Sequence, residues 1–222
     1  MSRFFNGIGD LISVADDPLY EFTTSESYTW CLWARHDSVA GYQCYVAKMP
    51  PASGPSYIFR KSASNVIELE AGAIGASQNV LGTTALVAGA WYFVAVVRDV
   101  SADQIRLYLA TAAGNVTLET SATDTTTTAH GENTGVLDIG QQTNGFRMNG
   151  RLANVMLFTH ALSLNELQAV KHGGIVQNLA GFWPLWGVAS PEPDLSGNGR
   201  NGTVIGAVAA DHAPIGPYVG RA

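Results

Sequence analysis

The chain has 222 residues, of which 46% are hydrophobic and 14% are charged, and its formal net charge is −6. This length suits one β-sandwich domain, and the composition supplies a sizeable core beneath a surface rich in Thr, Ser, Asn, Gln and Gly. The 12 basic residues are scattered, which argues against binding to a phosphate backbone. We therefore expect one globular domain that does not bind nucleic acid.

Targeting signals are weak in this sequence. The first ten residues lack a continuous apolar run, and no segment approaches the roughly 18 apolar residues of a membrane span. We therefore expect no secretion signal and no membrane anchor. Cys31 and Cys44 lie on segments predicted to be neighbouring strands, so a cross-strand disulfide is conceivable. Free buried thiols are the favoured alternative, because no export route is indicated.

Short strands separated by Gly, Pro and Ser fill the first part of the chain, a pattern typical of a sandwich or barrel. A strand within 7–14 is followed by turn residues, and three more strands are predicted at 43–48, 56–60 and 65–70. Alternation over 27–35 predicts a strand whose core-facing residues are Tyr28, Trp30, Leu32 and Ala34.

Four segments of different character follow one another between residues 91 and 168. Residues 91–99 are apolar on both faces, residues 105–109 alternate, residues 137–140 end on glycine, and residues 149–158 form a long apolar strand. A capping box then follows, since Ser163 precedes Glu166 by three positions. Together with Gly173 and Gly174, which can end a helix, it predicts one short helix near 164–172.

This order of segments resembles the laminin G-like, pentraxin-like branch of the concanavalin A-type β-sandwiches, and the resemblance covers residues 4–205. It implies an all-β fold, a two-sheet antiparallel sandwich of the concanavalin A-like jelly-roll type. We assign residues 1–206 to a single laminin G-like sandwich and residues 207–222 to an extended C-terminal tail. The block at 183–199 often precedes the first strand in relatives, so we expect it to pair beside that strand and bring the chain ends together.

The resemblance also raises the question of calcium, which supports sugar binding in many relatives. Ala110 and Asn154 stand where relatives often have acids, and calcium needs about 6 to 8 oxygen ligands. We therefore expect no metal or other cofactor. The weak candidates for calcium ligands are Asp194, Asn198 and Asn201, and the alternative for them is a plain turn.

Catalysis has one candidate pattern. Glu68 and Glu70 alternate on one strand, as acids do in concanavalin A-type glycoside hydrolases, but the third acid of that motif is missing. Two solvent-facing glutamates are the favoured alternative. The histidines show no metal or catalytic spacing, so no catalytic residue is assigned and we expect the protein not to be an enzyme.

A non-catalytic sandwich works by presenting a surface. By family analogy, our leading hypothesis is a bacteriophage capsid decoration or auxiliary head protein, assembled in the host cytoplasm, displayed on the virion and bound to the major capsid protein or another virion subunit. The alternative is a carbohydrate-binding lectin or a tail-associated adhesin, and a glycoside hydrolase comes third. Glycan-stacking candidates are Trp33 and Trp186. We expect a homo-oligomer, for which the candidate assembly residues of the tail are Pro214, Ile215 and Tyr218.

Overall fold

The computed structural model describes residues 1–51, 54–142, 145–174, 176–187, 189–211 and 213–214. It contains two antiparallel sheets and one short helix, α1 (Leu164–Lys171). In chain order the strands are β1 (Ser2–Asn6), β2 (Leu11–Val14), β3 (Tyr28–His36), β4 (Gln43–Lys48), β5 (Pro55–Lys61), β6 (Ile67–Ala73), β7 (Gln78–Leu81), β8 (Trp91–Asp99), β9 (Gln104–Thr111), β10 (Thr117–Thr123), β11 (Leu137–Ile139), β12 (Asn149–Phe158), β13 (Leu179–Trp183), β14 (Gly202–Ile205) and β15 (Val208–Ala210).

The strands divide into an eight-stranded and a seven-stranded sheet. The first has the order β10-β9-β8-β3-β12-β1-β15, with β13 also paired to β12, and the second has the order β14-β2-β11-β4-β5-β6-β7. Strands distant in sequence pair side by side, such as β3 with β12 and β2 with β11, and such long-range pairings are those of a jelly-roll sandwich. The predicted all-β two-sheet architecture is confirmed.

The main core lies between the two sheets. The inward residues of β3 are those that alternation predicted, and all of them are buried: Tyr28, Trp30, Leu32 and Ala34. The rings of Trp30 and Trp183 stack at 6.3 Å between centroids, which packs β13 onto the same core. Burial of such rings supplies much of the apolar contact area that holds the sheets together.

The outer face of the eight-stranded sheet is also apolar, because α1 covers it. The predicted capping box is present: Ser163 Oγ accepts from the Glu166 amide, and the Glu166 carboxylate accepts from the Ser163 amide. Leu167 and Val170 of the helix are buried in a second cluster that includes the outward residues of β3 and β8. This cover explains why residues 91–99 are apolar on both faces.

The two ends of the described chain meet, as expected, but the strands that pair there come after the block at 183–199, whose first residue, Trp183, ends a strand paired with β12. β15 pairs antiparallel with β1, and β14 pairs antiparallel with β2. The sandwich therefore extends beyond residue 206, since residues 208–210 form an edge strand where an extended tail was expected. Pro214 is exposed, and the tail candidates Ile215 and Tyr218 lie outside the described residues.

The cysteines do not lie on neighbouring strands. Cys31 is on β3 of the eight-stranded sheet and faces the helix side, whereas Cys44 is on β4 of the seven-stranded sheet and belongs to a cluster on its outer side. Both are free and buried. The favoured expectation of free buried thiols is therefore confirmed. The alternative, a cross-strand disulfide, is wrong because the two thiols lie on the outer faces of different sheets. Burial raises the pKa of each thiol.

Candidate functional site

A group of aromatic and charged side chains lies on the outer face of the seven-stranded sheet. We call it the Tyr42 patch, and it consists of Tyr42, Arg60, Glu68, Glu70 and Phe146. Arg60 on β5 is the register partner of Glu68 on β6. Glu70 shares the face of Glu68, because alternate residues of a strand point the same way. Strand pairing thus fixes the charged half of the patch.

One guanidinium holds both carboxylates of the patch. Arg60 donates from Nη2 to Glu68 Oε1 at 2.9 Å and from Nε to Glu68 Oε2 at 3.2 Å, and its Nη2 lies 2.7 Å from Glu70 Oε2. Burial disfavours the charged guanidinium, but the two carboxylates outweigh this and raise the pKa of Arg60 above its ordinary value. The patch therefore carries one cation and two anions, a net charge of −1.

Aromatic rings cover this charged group. The Arg60 Cζ atom lies 4.6 Å from the ring centroid of Tyr42 and 5.3 Å from that of Phe146, and the two centroids are 4.7 Å apart. These distances are within the range of cation–π contact. Tyr42 keeps 36% of its surface exposed, while Arg60 and Glu68 are buried. An accessible ring thus stands over an arginine that also binds Glu70, which is partly exposed.

The arrangement does not favour hydrolysis. Retaining glycosidases need one carboxylate free to attack and a second group free to donate a proton. Here Glu68 and Glu70 share one arginine, so neither is a free nucleophile or a free acid. The prediction of two solvent-facing glutamates is also wrong for Glu68, which is buried in its pair with Arg60.

A buried histidine supports the strand that follows Tyr42. His36 Nδ1 lies 2.9 Å from Gln43 Oε1, and His36 Nε2 lies 3.0 Å from the Tyr45 hydroxyl. Burial is the main cause that lowers the pKa of His36 to about 4, so the ring is neutral near neutral pH. His36 is therefore a structural group of the fold beneath the patch.

The weak calcium candidates form a turn. Asp194 Oδ1 accepts from the amides of Phe182 and Ser196, and its Oδ2 accepts from the Ser196 hydroxyl and the Arg200 amide, all at 2.9 to 3.0 Å. Asn201 Oδ1 accepts from the Asp194 amide, and Asn198 Nδ2 donates to the carbonyl of Ala180. Within the described residues, no group of three or more His, Cys, Asp or Glu side chains is placed to hold a metal.

The two tryptophan candidates differ in accessibility. Trp33 is 1% exposed, lies against Phe93 and has the Lys171 ammonium 5.6 Å from its ring, so it offers no open face for a sugar. Trp186 follows β13 and is 44% exposed. Of the two candidates, only Trp186 therefore has an accessible ring on which a sugar could stack, and Trp186 is not part of the Tyr42 patch.

A polar cleft of about 520 Å³ lies beside α1. Its lining includes His160, Asn165, Gln177 and Asn178, and Glu166, whose carboxylate is used in the capping box. Tyrosine, tryptophan and phenylalanine are absent from the described lining. The cleft therefore lacks the ring surface that the Tyr42 patch offers.

Sequence reasoning missed Tyr42, Arg60 and Phe146. A signal for Arg60 existed, because a hairpin between the predicted strands at 56–60 and 65–70 would place it opposite Glu68. Tyr42 and Phe146 come from loops that are distant in sequence, and no local pattern brings them together.

Among the described residues, no helix has the length and apolar character needed to cross a membrane.

The fold defines a laminin G-like, pentraxin-like β-sandwich, and comparison with known proteins agrees. Residues 6–168 match the family model of the concanavalin A-like lectin/glucanases superfamily. The match spans most of the chain, which therefore belongs to this superfamily. No curated protein matches the sequence.

Solved structures share this fold at low sequence identity. A candidate carbohydrate-binding protein from Bacteroides ovatus is 20% identical with a TM-score of 0.68; the match covers 97% of this chain but only 61% of that protein. The CBM40 of the Ruminococcus gnavus IT-sialidase, bound to α2,3-sialyllactose, is 14% identical with a TM-score of 0.59, covering 77% of this chain and 98% of that one. A heptameric SAP-like pentraxin from Limulus polyphemus is 12% identical with a TM-score of 0.53, covering 78% and 83%.

Proposed function

We propose that this chain is a non-catalytic carbohydrate-binding module that holds a neutral sugar on the Tyr42 patch. The observation that carries the proposal is the partly exposed Tyr42 ring, which stands over Arg60, whose guanidinium also binds the partly exposed carboxylate of Glu70. Sugars present apolar C–H faces and hydroxyl donors, and the ring and the carboxylate on the shared arginine meet these two needs. The carbohydrate-binding relatives of the same fold support this direction.

The charge of the patch favours a neutral ligand. Arg60 is already paired with two carboxylates, so it has little capacity to attract another anion. The net charge of the whole chain, −6, also repels anionic partners at long range. We therefore expect this chain to differ from the CBM40 relative, whose bound ligand carries a sialic acid.

The test is a calorimetric titration with lactose, cellobiose and α2,3-sialyllactose. We expect lactose or cellobiose to bind, and α2,3-sialyllactose to bind more weakly than lactose. Tyr42→Ala should raise Kd about tenfold or more, because it removes the stacking ring. Tyr42→Phe, the matched control, keeps the ring and should bind like the parent.

Four results would count against the proposal. Unchanged binding by Tyr42→Ala would move the site elsewhere, and loss of binding in Trp186→Ala would point to the other exposed ring. Binding of none of these glycans would remove the proposed ligand class. Release of glucose from cellobiose during long incubation would contradict the non-catalytic role.

The bacteriophage capsid role, virion location, capsid-protein partner and homo-oligomer stay predictions, since the relatives described above do not bear on them.

A further inference from the structure

The loop that carries Tyr42 is held from below by buried side chains. This loop, residues 37–42, joins β3 to β4, and four of its carbonyl oxygens accept hydrogen bonds from outside it. Gln43 Nε2 donates to the carbonyls of Ser38 at 2.5 Å and Ala40 at 3.4 Å. Lys61 Nζ donates to the carbonyls of Val39 at 2.7 Å and Gly41 at 2.6 Å. The second of these carbonyls belongs to the residue directly before Tyr42.

Lys61 is an unusual donor because its ammonium is buried without a carboxylate. It is the last residue of β5, and its Nζ also donates to the Ser62 carbonyl at 2.9 Å and to Asn65 Oδ1 at 3.0 Å. In the part of the chain that the structure describes, Lys61 has no salt bridge. A buried charge is costly unless hydrogen bonds compensate it. The cost of burying the Lys61 ammonium is therefore offset by hydrogen bonds to uncharged oxygens. Two of these oxygens are carbonyls of the loop at 37–42.

We propose that Lys61 is the positioning residue of the sugar site: by fixing the carbonyls of Val39 and Gly41, it holds the Tyr42 ring over Arg60. This inference rests on the proposed function for its effect on sugar binding. Lys61 itself does not face the ligand, because its ammonium is enclosed by three backbone oxygens and by Asn65 Oδ1. Its contribution is the fixed geometry of the ring, which lowers the ordering cost of binding.

Lys48 provides a matched control within the same sheet. Its ammonium is also buried and donates to the carbonyls of Asn133 and Gly135, both at 2.8 Å, as well as to Asp16. Lys48 is the last residue of β4, so it lies about 20 Å along the strand from Tyr42. Loss of Lys48 should therefore destabilise the fold without changing the loop at 37–42.

The experiment compares Lys61→Met, Lys48→Met, Tyr42→Leu and the double variant Lys61→Met/Tyr42→Leu. Lactose and cellobiose are titrated into each protein, and deuterium uptake of the ligand-free proteins is followed by mass spectrometry. We expect Lys61→Met to raise Kd about tenfold and to speed uptake selectively in residues 37–42. Lys48→Met should lower Tm while leaving both Kd and this uptake unchanged.

The double variant separates positioning from a general loss of stability. If Lys61 acts through Tyr42, Lys61→Met should cost little further affinity once the ring is gone, so that the two changes are not additive. Additive losses, or parental affinity in Lys61→Met, would overturn the proposal. If the parent protein binds neither disaccharide, the proposed function fails. In that case the deuterium uptake of residues 37–42 is the remaining test of whether Lys61 holds the loop. Unchanged uptake of these residues in Lys61→Met would refute that role of Lys61.

Discussion

Arg3 and Glu192 form a buried ion pair with 2.6 Å between Nε and Oε2, although 189 residues separate them in the chain. The guanidinium also donates to the carbonyls of Ala189 and Ala207 at 2.8 and 3.0 Å. One side chain of β1 therefore ties down two separate parts of the C-terminal region. The pair joins the two ends of the sandwich from within, where solvent cannot screen it.

Removing one partner of this pair should be costly. Glu192→Gln leaves Arg3 as an uncompensated buried charge, so the free energy of unfolding should fall by about 3 kcal/mol, measured by urea denaturation. Asp37→Asn is the control, because Asp37 pairs with Arg35 and Arg151, and all three side chains are partly exposed to solvent. That variant should lose less than about 1 kcal/mol. Equal losses in both variants would show that burial does not decide the effect.

Acid should destabilise the protein partly through two buried histidines. Burial is the main cause that lowers the pKa of His36 to about 4 and that of His130 to about 3, from an ordinary value of 6.5. Between these values and 6.5, the unfolded chain binds protons that the folded chain does not. This contribution to stability is therefore present above pH 6.5 and is lost as pH falls toward 4 and then 3.

The measurement is the urea midpoint at pH 7, 5.5 and 4.5 for the parent and for His130→Gln. His130 bonds Tyr28 and Thr126, so the variant should be less stable at pH 7. Its midpoint should nevertheless fall less steeply between pH 7 and 4.5, because one proton-linked group is gone. A parallel shift of the two pH profiles would contradict the role of His130.

The cysteines should be inert in the folded protein. Burial raises the pKa of Cys31 and of Cys44, so little reactive thiolate is present near neutral pH. We expect a thiol reagent such as DTNB to modify neither residue in the native protein and both in guanidinium chloride. Rapid native reaction of one thiol would show local opening of the sheet that carries it.

The turn around Asp194 should depend on its carboxylate and not on calcium. Asp194→Ala removes the acceptor for four donors, so stability should fall by about 2 kcal/mol or more. Neither EDTA nor millimolar calcium should shift the Tm of the parent by more than one degree or so. A calcium-dependent rise in Tm that Asp194→Ala abolishes would identify a metal site instead.

Local patterns predicted the elements that depend on neighbours in the sequence. The alternation around Trp30 and the capping box of Ser163 and Glu166 each describe a single element, and the structure has both. The free thiols were predicted correctly, but the placement of Cys31 and Cys44 on neighbouring strands was wrong, because the chain changes sheets between β3 and β4 and alternation within each strand does not reveal that change. The Tyr42 patch was missed for a similar reason: Phe146 lies on a loop far from Arg60 in the sequence, and the two meet only in the folded protein.

The pairing of β1 with β15 places the first and last strands of the described chain side by side. Ser2 and Ala210 are register partners, so their α-carbons are about 5 Å apart. A short bridge between them would allow the chain to be opened at another surface turn without altering any layer of the sandwich. The first residue of the chain could then lie at a different turn. We expect such a domain to keep its shape when it is circularly permuted, or when it is inserted into a loop of a host protein.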